Sequence, residues 1–296
     1  MRIIECCPFY NENLIANIHI NESLKWIDEF HVTEANYSFK MSPKEYNFNL
    51  DQKSPKVFYH QLDGEKLFKK NRRFIPYIDT RPITKWYPKI YKRTPWYNDA
   101  VQRNYSLWNA NVDDDDIVIL SDIDEIIDSK YADIIIHEVK KRGIVTIKIH
   151  FTLFYFNLFC SGWLGPEDYS YRIFILRGDI LKKRFFHDSD FLRKEGERGL
   201  ITDEVYCFPE IMGFHHSWLG DEHFVLNKLN SYAHSDEEHS SSIKTDGKYD
   251  IDLLREHIKE GKTIFDGSTL SINDSIQLIS SVDKLKETNP EYFFKL

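Results

Sequence analysis

The first third of the chain combines short apolar runs with one helical pattern. Residues 2–7 predict a first strand, which we expect Pro8 to end because proline cannot donate to a β-ladder. Apolar residues spaced three and four apart over 12–27 predict a helix, with Asn11 as its N-cap. A second strand is predicted at 29–34. Strand, helix and strand in this order predict the start of a parallel α/β sheet.

The remaining chain continues this alternation without a repeat or a linker, so we expect a single domain, 1–296. Further elements are predicted from apolar runs, helical spacing and turn residues. They are strands at 56–61, 117–120, 171–176 and near 204–208, a strand-rich stretch over 143–177, a charged glycine-rich loop over 195–199, and helices over 95–109, 130–142, 221–234, 250–260 and 273–287.

Charge narrows the choice of ligands. The 296 residues carry 39 Lys and Arg against 47 Asp and Glu, a formal net charge of −8, which argues against nucleic acid as the main partner. An anionic ligand therefore needs a bridging cation or a local basic patch. Basic residues do cluster with aromatic ones over 66–93, as either a solvated loop or an anion-facing surface.

The four cysteines show no Cys-x-x-Cys spacing, and we expect a reducing compartment without a disulfide framework. No leader pattern follows Met1, and no apolar stretch reaches about 18 residues. We therefore expect no transmembrane segment and a cytoplasmic protein.

The sharpest local signal is an acidic pair after an apolar strand. The run 117–120 is followed by Asp122 and Asp124, and ligands of open α/β sheets bind beyond the carboxyl ends of strands. In an extended segment these two carboxylates face the same side, with Ile123 pointing into the core. Such oxygen ligands suit Mg²⁺ or Mn²⁺, which in turn bind a diphosphate. The same pattern occurs in metal-dependent phosphohydrolases.

Two adjacent histidines form a second candidate group. His215 and His216 point to opposite faces of a predicted strand, so we expect only one of them to enter a site and complete the metal shell begun by Asp124. His234 is a further candidate for this role. The alternative that it is a surface histidine without such a role stays equally open.

Several motifs in the same order resemble glycosyltransferase family 17. The sharpest are Cys-Pro-Phe-Tyr-Asn-Glu at 7–12, Ser-Asp-Ile-Asp-Glu at 121–125 and Gly-Phe-His-His-Ser-Trp at 213–218. Further matching stretches lie at 30–39, 96–104, 228–234 and 265–267. The resemblance implies an α/β fold of the GT-A type, with a Rossmann-like mixed, mainly parallel sheet flanked by helices. It also implies inverting transfer from a UDP-sugar, UDP-GlcNAc above all, to a glycan hydroxyl with Mn²⁺ or Mg²⁺, and a nucleotide-sugar-binding half (1–125) before an acceptor half (126–296).

The resemblance also carries roles over by position. Asp122 and Asp124 form the donor and metal motif. Phe214 and His216 depart from the family pattern, and His215 stays the preferred further metal ligand. The donor is expected to contact Phe9, Tyr10, Asn11, Glu34 and Asn36 near the nucleoside and Asp122 near the diphosphate. Gln102 and Arg103 are expected to support either the diphosphate or the carboxylates, since the Arg103 guanidinium can bind either group with two hydrogen bonds.

An inverting transferase also needs a base for the acceptor proton. The candidates are Glu167, Asp168, Asp203 and Glu204, of which Glu204 with Asp203 is favoured and Asp168 is retained, and Trp163 is a possible acceptor platform. Two other functions stay open, a metal-dependent phosphohydrolase and a non-catalytic protein that binds nucleotide sugars.

Overall fold

The computed structural model describes residues 1–39, 42–64, 95–162, 169–231, 241–264 and 268–295. No helix in these ranges has both the length and the apolar character needed to cross a membrane. The strands are β1 (Ile3–Phe9), β2 (Glu29–Ala35), β3 (Val57–Leu62), β4 (Ile117–Leu120), β5 (Glu125–Ile127), β6 (Ile144–Leu153), β7 (Leu158–Ser161), β8 (Phe174–Arg177), β9 (Tyr206–Ser217), β10 (Lys244–Thr245), β11 (Lys248–Tyr249) and β12 (Thr269–Ile272). The helices are α1 (Asn13–Ser23), α2 (Pro95–Asn109), α3 (Ala132–Arg142), α4 (Gly178–Arg184), α5 (Ser189–Glu197), α6 (Glu222–Ser231), α7 (Ile251–Lys259), α8 (Ser280–Asp283) and α9 (Leu285–Thr288).

One mixed sheet of ten strands organises the described part of the chain. Eight strands follow the order β12-β7-β6-β8-β4-β1-β2-β3, and β9 pairs with both β5 and β6. Strand β1 is parallel to β2 and β4, whereas β8 is antiparallel to β4 and β6. The predicted α/β class with a mixed sheet and flanking helices is confirmed. The predicted boundary at residue 125 falls at the start of β5, and strands from both sides of it share the sheet.

Strand β1 does not stop at Pro8 as predicted, but continues to Phe9. Strand β4 pairs with β1 only as far as Cys6, so the N–H that proline lacks has no partner strand to meet on that side. Helix α1 begins at Asn13 and ends at Ser23, and Glu12 rather than Asn11 occupies the N-cap position.

The predicted loop over 195–199 is wrong for its first half, because α5 runs through Glu197. Asp188 caps this helix by accepting a hydrogen bond from the backbone N–H of Phe191. Gly196 fits inside the helix because a Cβ there would lie 2.4 Å from the Phe174 ring. The predicted helix over 273–287 is likewise replaced by the short helices α8 and α9.

Strand β9 is much longer than predicted, and Gly213 lets it approach β5 closely. A Cβ at this position would lie 2.2 Å from the carbonyl oxygen of Ile126. The close pairing places Glu125 directly opposite His215. Sequence motifs that are about ninety residues apart along the chain therefore meet at one place in the sheet.

Two imidazoles contact each other beside strand β3. The Nδ1 of His31 lies 2.9 Å from the Nε2 of His60, and the rings of His31 and Phe58 are stacked. Burial, followed by the charge of His31, lowers the pKa of His60 to about 4. The folded protein therefore keeps His60 neutral at pH values where an exposed histidine takes up a proton.

We expect the protein to lose stability as the pH falls from about 6.5 toward about 4. In this window the unfolded chain binds a proton at His60 that the folded protein does not bind, so acid favours unfolding. The effect should be about 1 kcal/mol, since His60 is only partly buried. Urea unfolding at about pH 7 and about pH 5 measures it. The H60Q variant should show a weaker pH dependence, and an equal dependence in both proteins would contradict the assignment.

Candidate functional site

The Asp122 and Asp124 motif lies in a turn directly after strand β4. The backbone N–H of Glu125 donates to the carbonyl of Asp122 at 3.0 Å and closes this turn. Ile123 is buried in the core, as predicted. The predicted extended geometry is replaced by the turn, and each of the two carboxylates has its own set of cationic partners.

Two arginines hold the carboxylate of Asp122. Arg103 from α2 bonds both of its oxygens, and Arg193 from α5 lies 2.7 Å from Oδ2. Burial would raise the pKa of Asp122, but the charges of Arg103 and Arg193 outweigh burial and lower it. Arg103 also contacts Asp99 at 3.2 Å. The neighbouring Gln102 is buried, and its amide nitrogen has no hydrogen-bond partner in the described part of the chain.

Arg193 is the main site residue that sequence reasoning missed. Its guanidinium contacts Asp122 at 2.7 Å, Glu125 at 3.1 Å and Glu197 at 3.2 Å. The residue was hidden because no helix was predicted before the glycine-rich segment. The available signal was Asp188, an acidic N-cap residue followed by a polar and apolar pattern typical of a helix start.

Asp124 has a different set of partners. Its Oδ1 lies 3.2 Å from the Nε2 of His215, and its Oδ2 lies 3.8 Å from the Nζ of Lys228 on α6. Lys228 also contacts Glu12 at 2.9 Å. Burial opposes ionisation of Asp124, but His215 and then Lys228 lower its pKa overall. The site therefore combines residues from the ends of β1 and β4 with residues of β9 and α6.

Only one of the two adjacent histidines reaches the site, in agreement with the alternation of side chains along a strand. The Nδ1 of His215 lies 2.9 Å from the hydroxyl of Tyr169, which fixes the ring while Nε2 faces Asp124. His216 points the other way and contacts the Thr152 hydroxyl at 2.7 Å. Burial, followed by the charge of His215, lowers the pKa of His216 to about 3. His216 is therefore a neutral core residue.

The described residues fit a divalent cation as a partial shell. No three His, Cys, Asp or Glu side chains in the described ranges are placed to hold a metal ion by themselves. The Oδ1 of Asp124 and the Nε2 of His215 nevertheless lie 3.2 Å apart, close enough to be ligands of one ion, and Tyr169 orients the imidazole as outer partners of metal ligands do. Mg²⁺ sites commonly use one or two protein carboxylates and complete the shell with water and phosphate oxygens. Asp122 fits less well as a ligand, because two guanidinium groups already occupy its oxygens.

The turn is surrounded by an extended network of ion pairs. Within the described ranges, six linked carboxylates face four lysine and arginine side chains and His215. Burial raises the pKa of Asp99 in this network, and a protonated His215 adds a positive charge, so the network does not by itself require a cation. The carboxylates are Glu12, Asp99, Asp122, Asp124, Glu125 and Glu197, and the cations are Arg103, Arg172, Arg193 and Lys228.

The residues predicted near the nucleoside separate into core and surface. Phe9 is buried and packs edge-on against Phe48, so it does not face a ligand. Tyr10 is partly exposed, and its ring stacks on Phe39 with centroids 6.3 Å apart. Asn11 is exposed and bonds the side chain of Asn47. Tyr10 and Asn11 thus remain accessible beyond the end of β1.

Glu34 was predicted to contact the sugar-nucleotide donor, but in the structure it anchors the chain segment after β2. The side chain is fully buried, and its two oxygens accept hydrogen bonds from four donors, which leaves little capacity for a ligand. Asn36 is similarly used, because its Oδ1 accepts from the backbone N–H of Gly64 at 3.0 Å. The donors to Glu34 are the side chains of Lys44 and Tyr59 and the backbone N–H groups of Asn47 and Phe48.

The favoured base candidates, Glu204 and Asp203, are not brought to the site. Both are exposed in the turn before β9, and Glu204 pairs with Arg184. His215 lies much further along β9, because six residues of β6 separate the two register positions that pair with Tyr206 and His215. That separation corresponds to about 20 Å at about 3.3 Å per residue. A carboxylate before β9 therefore cannot take a proton beside Asp124.

Several predicted features lie outside the described residues. Asp168 is among them, so its role as a base stays a prediction. The others are Trp163, Glu167, His234, the basic cluster at 66–93 and the family stretch at 265–267.

The sheet and the turn after β4 have the arrangement of α/β proteins that bind a ligand beyond the carboxyl ends of parallel strands. The family model for glycosyltransferase family 17 matches residues 1–164, more than half of the chain. The chain therefore belongs to glycosyltransferase family 17. This confirms the predicted family and glycosyl transfer as the activity class.

Similar solved structures and curated proteins add little to this assignment. The chain is similar to the crystal structure of S. aureus TarS 1-349, with 12% identity, a TM-score of 0.36 and coverage of 95% of this chain and 99% of that chain. For TarS 1-349 in complex with UDP the identity is 11%, the TM-score 0.34 and the coverage again 95% and 99%. No curated protein matches the chain. Both TM-scores are below 0.5, so these similarities carry no conclusion about function.

Proposed function

We propose that the protein transfers GlcNAc from UDP-GlcNAc to a hydroxyl of a glycan acceptor, with inversion at the anomeric carbon. The observation that carries this proposal is the contact of Asp124 with His215 beyond β4, in a chain of family 17. The acceptor oxygen forms a bond to the anomeric carbon as the bond from that carbon to the diphosphate oxygen breaks. The acceptor proton passes to a carboxylate, and UDP leaves.

Asp124 and His215 would hold Mn²⁺ or Mg²⁺ in this proposal. When bound, the cation neutralises negative charge that develops on the leaving diphosphate. Tyr169 keeps the Nε2 of His215 directed at Asp124. Asp122 lies in the same turn, and its carboxylate stays ionised because Arg103 and Arg193 lower its pKa.

Lys228 supplies a further positive charge at this place. Burial would lower the pKa of Lys228, but Glu12 and Asp124 raise it, so the amine is charged. Its Nζ lies 3.8 Å from Asp124, so it would contact a diphosphate that a cation holds at Asp124. Asp168 remains the proposed base, since Asp203 and Glu204 lie elsewhere.

We expect UDP release from UDP-GlcNAc in the presence of Mn²⁺, and an increase in this release when glycan acceptors are added. A panel of nucleotide sugars, each with and without acceptor, measures the effect, and EDTA should suppress it. Release of UDP that does not depend on the acceptor, or cleavage of simple phosphoesters, would indicate the phosphohydrolase. UDP binding without turnover under all these conditions would indicate the non-catalytic binding protein.

A further inference from the structure

A buried acid and a buried histidine lie directly beneath the turn that carries Asp122 and Asp124. Glu5 is in the middle of β1 and His19 is on α1, and both side chains are fully buried. The Nε2 of His19 lies 2.9 Å from Oε1 of Glu5. The Nδ1 of His19 lies 3.0 Å from the carbonyl oxygen of Ile123.

The two contacts of His19 fix where its protons must be. A carbonyl oxygen only accepts, so Nδ1 carries a hydrogen and donates it to Ile123. The contact between Nε2 and Glu5 needs a second proton, whichever of the two groups carries it. The pair therefore shares one proton and is neutral overall, as expected for ionisable groups in a dry interior.

The same pair bonds the chain on both sides of Asp122. The hydroxyl of Ser121 donates to Oε1 of Glu5 at 2.9 Å, and Ile123 accepts from His19. Neither Glu5 nor His19 reaches the surface where a donor would bind. They contact the site through Ser121 and Ile123, the residues on either side of Asp122.

We propose that Glu5 and His19 are positioning residues that hold the turn from 121 to 124 in the shape required for donor binding. The proposal rests on the proposed function for its consequence, and on the hydrogen bonds of Ser121 and Ile123 for its geometry. The bond to Ile123 is the decisive one, because Ile123 lies between the two carboxylates that the turn presents.

Two substitutions test the two ring nitrogens of His19 separately. In H19N the amide nitrogen can replace Nδ1 and keep the bond to Ile123, whereas in H19Q the longer side chain can replace Nε2 and keep only the contact with Glu5. H60Q is the matched control, because it changes a partly buried histidine of β3 that the site does not use.

The first measurement is amide hydrogen exchange in the peptide covering 121–125, which needs no ligand. We expect faster exchange in H19Q than in H19N, and exchange like that of the unmodified protein in H60Q. The second measurement is the affinity for UDP with Mn²⁺, which should fall about tenfold in H19Q and much less in H19N.

The outcomes distinguish this proposal from the proposed function. Unchanged exchange in H19Q, or equal exchange in H19Q and H19N, would overturn the positioning role, as would unchanged UDP affinity in a protein that binds UDP. If the unmodified protein does not bind UDP with Mn²⁺, the proposed function fails, and the exchange result alone decides whether the pair holds the turn.

Discussion

The D124N variant is expected to lose Mn²⁺-dependent UDP binding and to reduce sugar transfer at least about 100-fold. The substitution keeps the size of the side chain and an oxygen that can accept from the Nε2 of His215, but it removes the charge that a cation needs. Calorimetric titration with UDP, with and without Mn²⁺, measures binding, and release of UDP from UDP-GlcNAc measures transfer. The thermal unfolding midpoint should fall only slightly, because the amide oxygen still accepts from His215 and Lys228 keeps its contact with Glu12.

D203N is the matched control for D124N. It makes the same chemical change at an exposed residue, separated from His215 by most of β9. We expect D203N to bind UDP and transfer sugar like the unmodified protein. If D124N retains Mn²⁺-dependent binding, Asp124 is not a metal ligand. If instead D203N loses transfer while keeping its fold, the base is at the position that the structure argues against.

The strand that supports the site was predictable, because local sequence determines it. The run 117–120 is fully apolar and the structure buries all of it as β4. Helix α2 begins and ends as predicted. The residues predicted that one of the two adjacent histidines joins Asp124, and the family pattern favoured His215. Nothing local to either residue indicates the pairing of β5 with β9 that brings them together.

The roles of the residues predicted to contact the nucleoside were predicted less well, for a physical reason. A glutamate at the end of a parallel strand can bind a ligand or can hold the backbone of a later segment, and the sequence does not distinguish these uses. The structure shows that Glu34 accepts from the backbone of Asn47 and Phe48. This choice depends on how the segment after β2 folds back, which is a contact between residues distant in sequence.

Arg193 was missed because tertiary packing, and not the local sequence, makes its segment helical. Gly196 and its charged neighbours indicate a loop when they are considered locally, but packing against Phe174 makes glycine suitable inside α5. Once this helix forms, Arg193 lies between Asp122 and Glu125. Tertiary packing thus overrode the local preference and brought a cation to the acidic turn.

The R193M variant is expected to lower the free energy of unfolding by about 3 kcal/mol. Methionine fills part of the space, but it leaves the fully buried Glu125 without this guanidinium, and Asp122 and Glu197 each lose one cationic partner. Arg103 and Arg172 still serve Asp122 and Glu197, so the loss should stay below that of a completely unpaired cluster. Urea unfolding at about pH 7 measures the difference.

Two further variants test whether the geometry of Arg193 or only its charge matters. R193K keeps one positive charge but cannot bridge three carboxylates, so we expect about half of the loss seen in R193M. R198M removes an exposed arginine just beyond the same helix and should change the free energy of unfolding by less than about 0.5 kcal/mol. Equal losses in R193M and R198M would contradict the role of Arg193 as the central cation. A full loss in R193K would instead show that the planar guanidinium is required, because a charge of the same sign would then not replace it.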